Sequence, residues 1–131
     1  MLGELIVEEE GEIIGMRVLS ETDMEVSFRG QGTVFGVPMT DTGTYLSALR
    51  PDGTLWGERG QGIVTTAEGD VVTWTGQGIG RFEAGGATTW RGSIYLRTGS
   101  DKLARANAVA GVYELEIDGD GALLVKVWEW K

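Results

Sequence analysis

Short runs rich in β-branched, aromatic and aliphatic residues recur along the chain, separated by turn signals. They predict strands at Leu5–Glu10, Glu12–Leu19, Met24–Phe35, Thr44–Arg50, Thr54–Thr66, Asp70–Phe82, Ala87–Arg97, Gly111–Ile117 and Ala122–Trp130. The turns between them have suitable chemistry. Pro51-Asp52-Gly53 puts Pro at a first turn position and Gly where positive φ is easiest. Glu68-Gly69-Asp70, Gly85-Gly86 and Asp118-Gly119-Asp120-Gly121 also suit hairpins. Consecutive hairpins predict an all-β, closed, antiparallel up-and-down barrel of about eight strands, one domain over residues 1–131. One segment breaks the pattern. Ser100 and Asp101 followed by Lys102-Leu103-Ala104-Arg105-Ala106-Asn107 predict a short helix of two turns near residues 100–107, with Leu103 and Ala106 inward.

Glycine sharpens the barrel reading. The chain holds 22 glycines in 131 residues, well above the usual share of about 7%. Arg29-Gly30-Gln31-Gly32-Thr33-Val34 is echoed by Arg59-Gly60-Gln61-Gly62-Ile63-Val64, and its centre again by Thr75-Gly76-Gln77-Gly78. Gly-x-Gly on a strand clears one face, because side chains alternate, and that face admits a crossing strand or a large ring. Packing geometry is therefore the reading for this repeat.

Composition then removes whole classes of chemistry. With no Cys, disulfides and thiolate sites are excluded; with no His, the usual general base and transition-metal ligand are missing. Neither a metal site nor a cofactor is expected, and catalysis would rest on carboxylates, Tyr, Lys or backbone. A net charge of −9 repels phosphates and anionic lipid, so nucleic acid and membrane are not expected partners. The N-terminal residues lack a signal-peptide pattern, and the expected location is cytoplasmic.

Several short motifs fail on context. Asp41-Thr42-Gly43 matches the aspartic-protease tripeptide, but Val37-Pro38-Met39-Thr40 stands where an apolar strand should precede it, and all three are ordinary turn residues. Glu116-Ile117-Asp118-Gly119-Asp120-Gly121 resembles the start of a calcium loop, yet Val127 falls at the twelfth position. Gly76-Gln77-Gly78-Ile79-Gly80 does not lead into a helix as a phosphate loop must. The acidic run Glu8-Glu9-Glu10 reads as a charged strand edge that resists pairing with other chains.

The aromatics carry the functional expectation. Trp74 shares a face with Val72, Trp90 with Gly92 and Ile94, and Phe28 with Met24 and Val26. These rings would line the lumen. The candidate ligand-binding residues are Phe28, Tyr45, Trp74, Trp90, Ile94 and Tyr113. On the last strand Leu123, Val125 and Val127 form one face and Lys126, Trp128 and Trp130 the other. Trp128 and Trp130 are the interface candidates of a homo-oligomer. The weak catalytic candidate is Glu114, as a buried acid between Tyr113 and Leu115; a surface Glu is the plainer reading.

Phe28-Arg29-Gly30-Gln31-Gly32, Gly43-Thr44-Tyr45, Arg50-Pro51-Asp52-Gly53-Thr54 and the stretch from Gly76 through Gly78, Gly80, Arg81, Phe82 and Ala84 to Gly86 together resemble the allene oxide cyclase-like barrel group. That group includes dirigent proteins and uncharacterised bacterial barrels. The resemblance runs over roughly Met24 to Ile117 on glycine and turn positions, and transfers no catalytic residue. It implies an eight-stranded barrel with an apolar lumen, often trimeric in plant members, which bind hydrophobic small molecules and steer cyclisation or radical coupling. The expected function is binding of a small hydrophobic or aromatic ligand without catalysis. The alternatives are a cyclase- or isomerase-like enzyme acting by shape and a carboxylate, and a structural or assembly module.

Overall fold

Eight antiparallel strands follow one another in chain order, each hydrogen-bonded to the next, and the last closes onto the first. The computed structural model describes residues 1–131. The strands are β1 Leu2–Val18, β2 Asp23–Val34, β3 Val37–Leu49, β4 Leu55–Thr66, β5 Val71–Phe82, β6 Thr88–Thr98, β7 Ala110–Ile117 and β8 Ala122–Trp130. Closure extends to the chain ends, where the Lys131 backbone N–H donates to the Met1 carbonyl at 2.8 Å.

Most expected strands match within a few residues, and the departures have physical causes. Leu5–Glu10 and Glu12–Leu19 are one strand, β1. Gly11 is no turn: it pairs with Gly30 on one side and Leu123 on the other. A Cβ there would run into the Arg29 carbonyl, so this glycine lets two strands approach closely. The chain bends instead at a register shift between Ile13 and Gly15. β3 begins at Val37, seven residues before the expected Thr44. Pro38 sits at its hairpin end, opposite Thr33, and Asp41-Thr42-Gly43 lies inside the strand. The expected two-turn helix near residues 100–107 is a 3-10 helix over Ala104–Ala108. Leu103 and Ala106 do point inward, at 3% and 0% exposure.

Apolar side chains fill the barrel in two groups. One, around Val34, Val64, Val72 and Val127, is capped by Leu103, Ala106 and Val109. The other holds Val26, Phe28, Tyr45, Leu55, Trp90, Leu115 and Leu123, and Trp74 and Tyr113 pack against both. The two ends of the barrel differ. The β6–β7 connection plugs one end. Asn107 holds it by accepting from the Thr98 backbone N–H at 2.8 Å and donating to the Thr98 carbonyl at 2.9 Å. Arg105 reaches Glu4 and Glu129 and lies 5.2 Å over the Phe35 ring. The opposite end, framed by the β1–β2, β3–β4, β5–β6 and β7–β8 turns, opens to solvent as a mouth of ≈ 610 Å³.

The repeated Gly-x-Gly makes room for rings. A Cβ on Gly62 would overlap the Trp74 indole, and Gly57 and Gly80 leave the corresponding space for Trp90. Gly62→Ala should therefore destabilise the barrel by about 1–3 kcal/mol through overpacking. Gly99→Ala, whose added carbon meets nothing within 4 Å, should stay within about 0.5 kcal/mol. Urea unfolding midpoints of the two variants check this; equal midpoints would mean the Trp74 ring is not held by that contact.

Candidate functional site

Side-chain alternation places the same parity of each strand inside. On β3 that parity is Met39, Asp41, Gly43 and Tyr45; on β1 it brings Val7 and Glu9 inward. Glu9 and Asp41 are each only 4% exposed. They stand on β1 and β3, with β2 between them, where Gly30 pairs directly with Asp41. Gly30 has no side chain, and a Cβ there would fall on the Glu9 carboxyl. The glycine thus opens the path by which Glu9 reaches across β2 to Asp41.

These carboxyls form one wall of an inner chamber of ≈ 70 Å³. Apart from Gln77, the rest of the lining is glycine, aliphatic or aromatic. Phe28, Tyr45, Trp74, Trp90, Ile94 and Tyr113, the six lumen residues expected from sequence, all line it. The rings form a connected set: Phe28 stacks on Trp74 with centroids 6.0 Å apart, and Tyr45 meets Trp90 edge-on at 5.4 Å. Tyr45 and Trp90 line the mouth as well as the chamber, so they form the partition between the two.

Burial dominates the electrostatics. Together with the neighbouring Asp41 carboxyl, it pushes the Glu9 carboxyl up to about 9. Burial raises Asp41 as well, against hydrogen bonds from Glu9, from the Trp74 indole and from the Thr42 backbone N–H. The indole Nε1 donates to Asp41 Oδ1 at 2.9 Å. The donors to Asp41 make it the readier member of the pair to ionise, and Glu9 the readier to keep its proton. Even so, Glu9 Oε2 is buried with no hydrogen-bond partner. Burial also raises Tyr45, and raises Tyr113 to about 12, so both phenols stay neutral.

Two expectations from sequence need correction. Glu114 is no buried acid: its side chain is 43% exposed on the outer wall and faces Arg91 at 3.6 Å. Glu8-Glu9-Glu10 is no charged edge, since a closed barrel has none and Glu9 is inside. The carboxylates that matter had gone unassigned, although alternation from Val7 and Tyr45 would have found both. On β8, Leu123, Val125 and Val127 face the lumen, while Trp128 is half-buried and Trp130 is 58% exposed on the outer wall. No cluster of three or more acidic, Cys or His side chains suits a metal ion. No helix is long and apolar enough to cross a membrane.

No protein-family model matches this sequence, and no curated protein matches it. Solved structures do resemble it. A protein of unknown function from Clostridium acetobutylicum ATCC 824 is similar at TM-score 0.80 and 13% identity, covering 96% of each chain. A conserved protein of unknown function from Rhodopseudomonas palustris aligns at TM-score 0.82 and 15% identity, over 98% of this chain and 97% of that one. A β-barrel-like protein from Acinetobacter baumannii AYE aligns at TM-score 0.75 and 11% identity, over 98% and 96%. The likeness establishes the barrel and nothing finer. This chain is a small barrel of the same architecture as these uncharacterised bacterial proteins.

The buried pair sets the sign of the pH dependence. A carboxyl whose folded pKa lies above its unfolded value keeps its proton in the barrel while the unfolded chain has lost it. Glu9 therefore lowers stability as pH rises from about 4.5 toward about 9, with a slope of about 1.4 kcal/mol per pH unit. Chemical denaturation at pH 6, 7 and 8 should show the decline, and Glu9→Gln should flatten it. A variant that declines as steeply as the parent would place the titrating group elsewhere.

Proposed function

We propose that the protein is a non-catalytic binding barrel for a small molecule with an apolar or aromatic body and a compact polar head. The body sits in the mouth, on the floor formed by Val26, Tyr45, Leu55 and Trp90. The head passes the Tyr45–Trp90 partition into the chamber and meets Glu9 and Asp41. The two volumes carry this reading. Pockets for organic ligands span about 300–1,000 Å³, a range the mouth falls in at ≈ 610 Å³. A dry cavity that accepts benzene is about 150 Å³, so a chamber of ≈ 70 Å³ takes a head group and not a ring. The likeness to the allene oxide cyclase-like group supports an apolar ligand and belongs to the same proposal.

Tryptophan fluorescence reports the site directly, because Trp74 and Trp90 line it. Titration with n-hexanol and benzyl alcohol should give a saturable change, weakened about tenfold in Trp90→Ala. A flat response to both alcohols overturns the proposal.

A homo-oligomer is proposed on the outer wall of β8, where Trp130 is 58% exposed beside a half-buried Trp128. Native mass spectrometry should show a multimer that Trp130→Glu reduces to monomer; a monomeric parent protein removes the idea.

A further inference from the structure

We infer that the head group the chamber selects is a cationic ammonium, held between the Glu9 and Asp41 carboxyls; this rests on the binding-barrel reading above. Three observations lead to it. The chamber wall contains two carboxyls and no Lys or Arg, so a charge on this pair has no counter-ion in the lining. Glu9 is more than nine-tenths buried at 4% exposure, lines the same chamber, and leaves Oε2 without a donor. The remaining lining is mostly apolar and includes the rings of Phe28, Tyr45, Trp74 and Trp90, which present π systems to whatever enters.

The donor and acceptor inventory fits an ammonium. It brings three N–H donors and no acceptor. Asp41 already receives Trp74 at one oxygen, and its other acceptor positions, with Glu9 Oε2, can take those donors. Aromatic faces add cation–π attraction, which is strongest where water is excluded. A buried ion pair usually gains little, because both ions must be desolvated. Here the fold has already desolvated one of them, so an arriving cation bears only its own cost. A divalent metal is a poorer match: Ca²⁺ seeks six to eight oxygen ligands, and an apolar chamber with two carboxyls does not supply them. A carboxylate head would meet a buried charge of its own sign.

The test uses three ligands with one six-carbon body. Isothermal titration of the full-length protein at pH 7 with n-hexylammonium, n-hexanol and hexanoate separates head-group charge from body binding. The expected order is hexylammonium at least tenfold tighter than hexanol, with hexanoate weakest. Asp41→Asn should bring the ammonium-to-alcohol ratio down to about one. Should that variant fail to fold, the ratio in the parent protein still decides. Hexanol binding as tightly as hexylammonium overturns the ammonium assignment and leaves the binding barrel standing. No binding of any of the three overturns both.

Discussion

The inside of an eight-stranded barrel is only just wide enough for the side chains that fill it. Every other feature of this molecule answers to that limit. Five aromatic rings and two carboxyls share the lumen, and several of them have room because a neighbouring strand presents a glycine. Gly62 faces the Trp74 indole, Gly57 and Gly80 flank Trp90, and Gly30 lies under the Glu9 carboxyl. The high glycine content is thus a volume device on the inner face, distinct from the glycines that turn the chain at Gly36, Gly53, Gly69 and Gly121, where φ is positive.

The same limit governs the chemistry. Two carboxyls brought together in so narrow a space cannot both ionise at ordinary cost, and burial raises both above the usual carboxylate range. Trp74 links the two themes. Its ring fills the space left by Gly62, and its N–H steadies the charged member of the pair. Packing and electrostatics meet in one side chain. The asymmetry of the ends then gives the site a direction. The plug, secured by Asn107 and Arg105, closes one side, and the partition of Tyr45 and Trp90 faces the open mouth.

Much of the fold was legible in the sequence, because β-rich runs and turn residues report strands and hairpins directly. Alternation on their own strands points Phe28, Trp74, Trp90 and Ile94 inward, and the sequence reading adds Tyr45 and Tyr113 to the lumen without it. Glu9 and Asp41 were missed, for identifiable reasons. Glu9 sits in a run of three acidic residues, and such a run reads as solvated; only the phase set by Val7 reveals that its middle member turns inward. Asp41 follows Pro38 and precedes Gly43, a composition that reads as a turn, although Pro38 is tolerated at the hairpin end of β3. A strand-long phase, carried through the polar positions and not only the apolar ones, holds the missing information. The expected helix near residues 100–107 is instead a shorter 3-10 turn over Ala104–Ala108, where Asn107 engages Thr98 at the barrel end.

The seam between β1 and β8 joins the first and last strands of the chain, the most distant pairing in sequence that the fold contains. Contacts of that span carry the largest loop-closure entropy in the molecule, which must be overcome before they contribute. Glu9 lies on this seam opposite Val125, and Val125 and Val127 of β8 line the same chamber as its carboxyl. Burial holds the Glu9 carboxyl well above its ordinary range, so folding at neutral pH is linked to the uptake of a hydrogen ion from solvent.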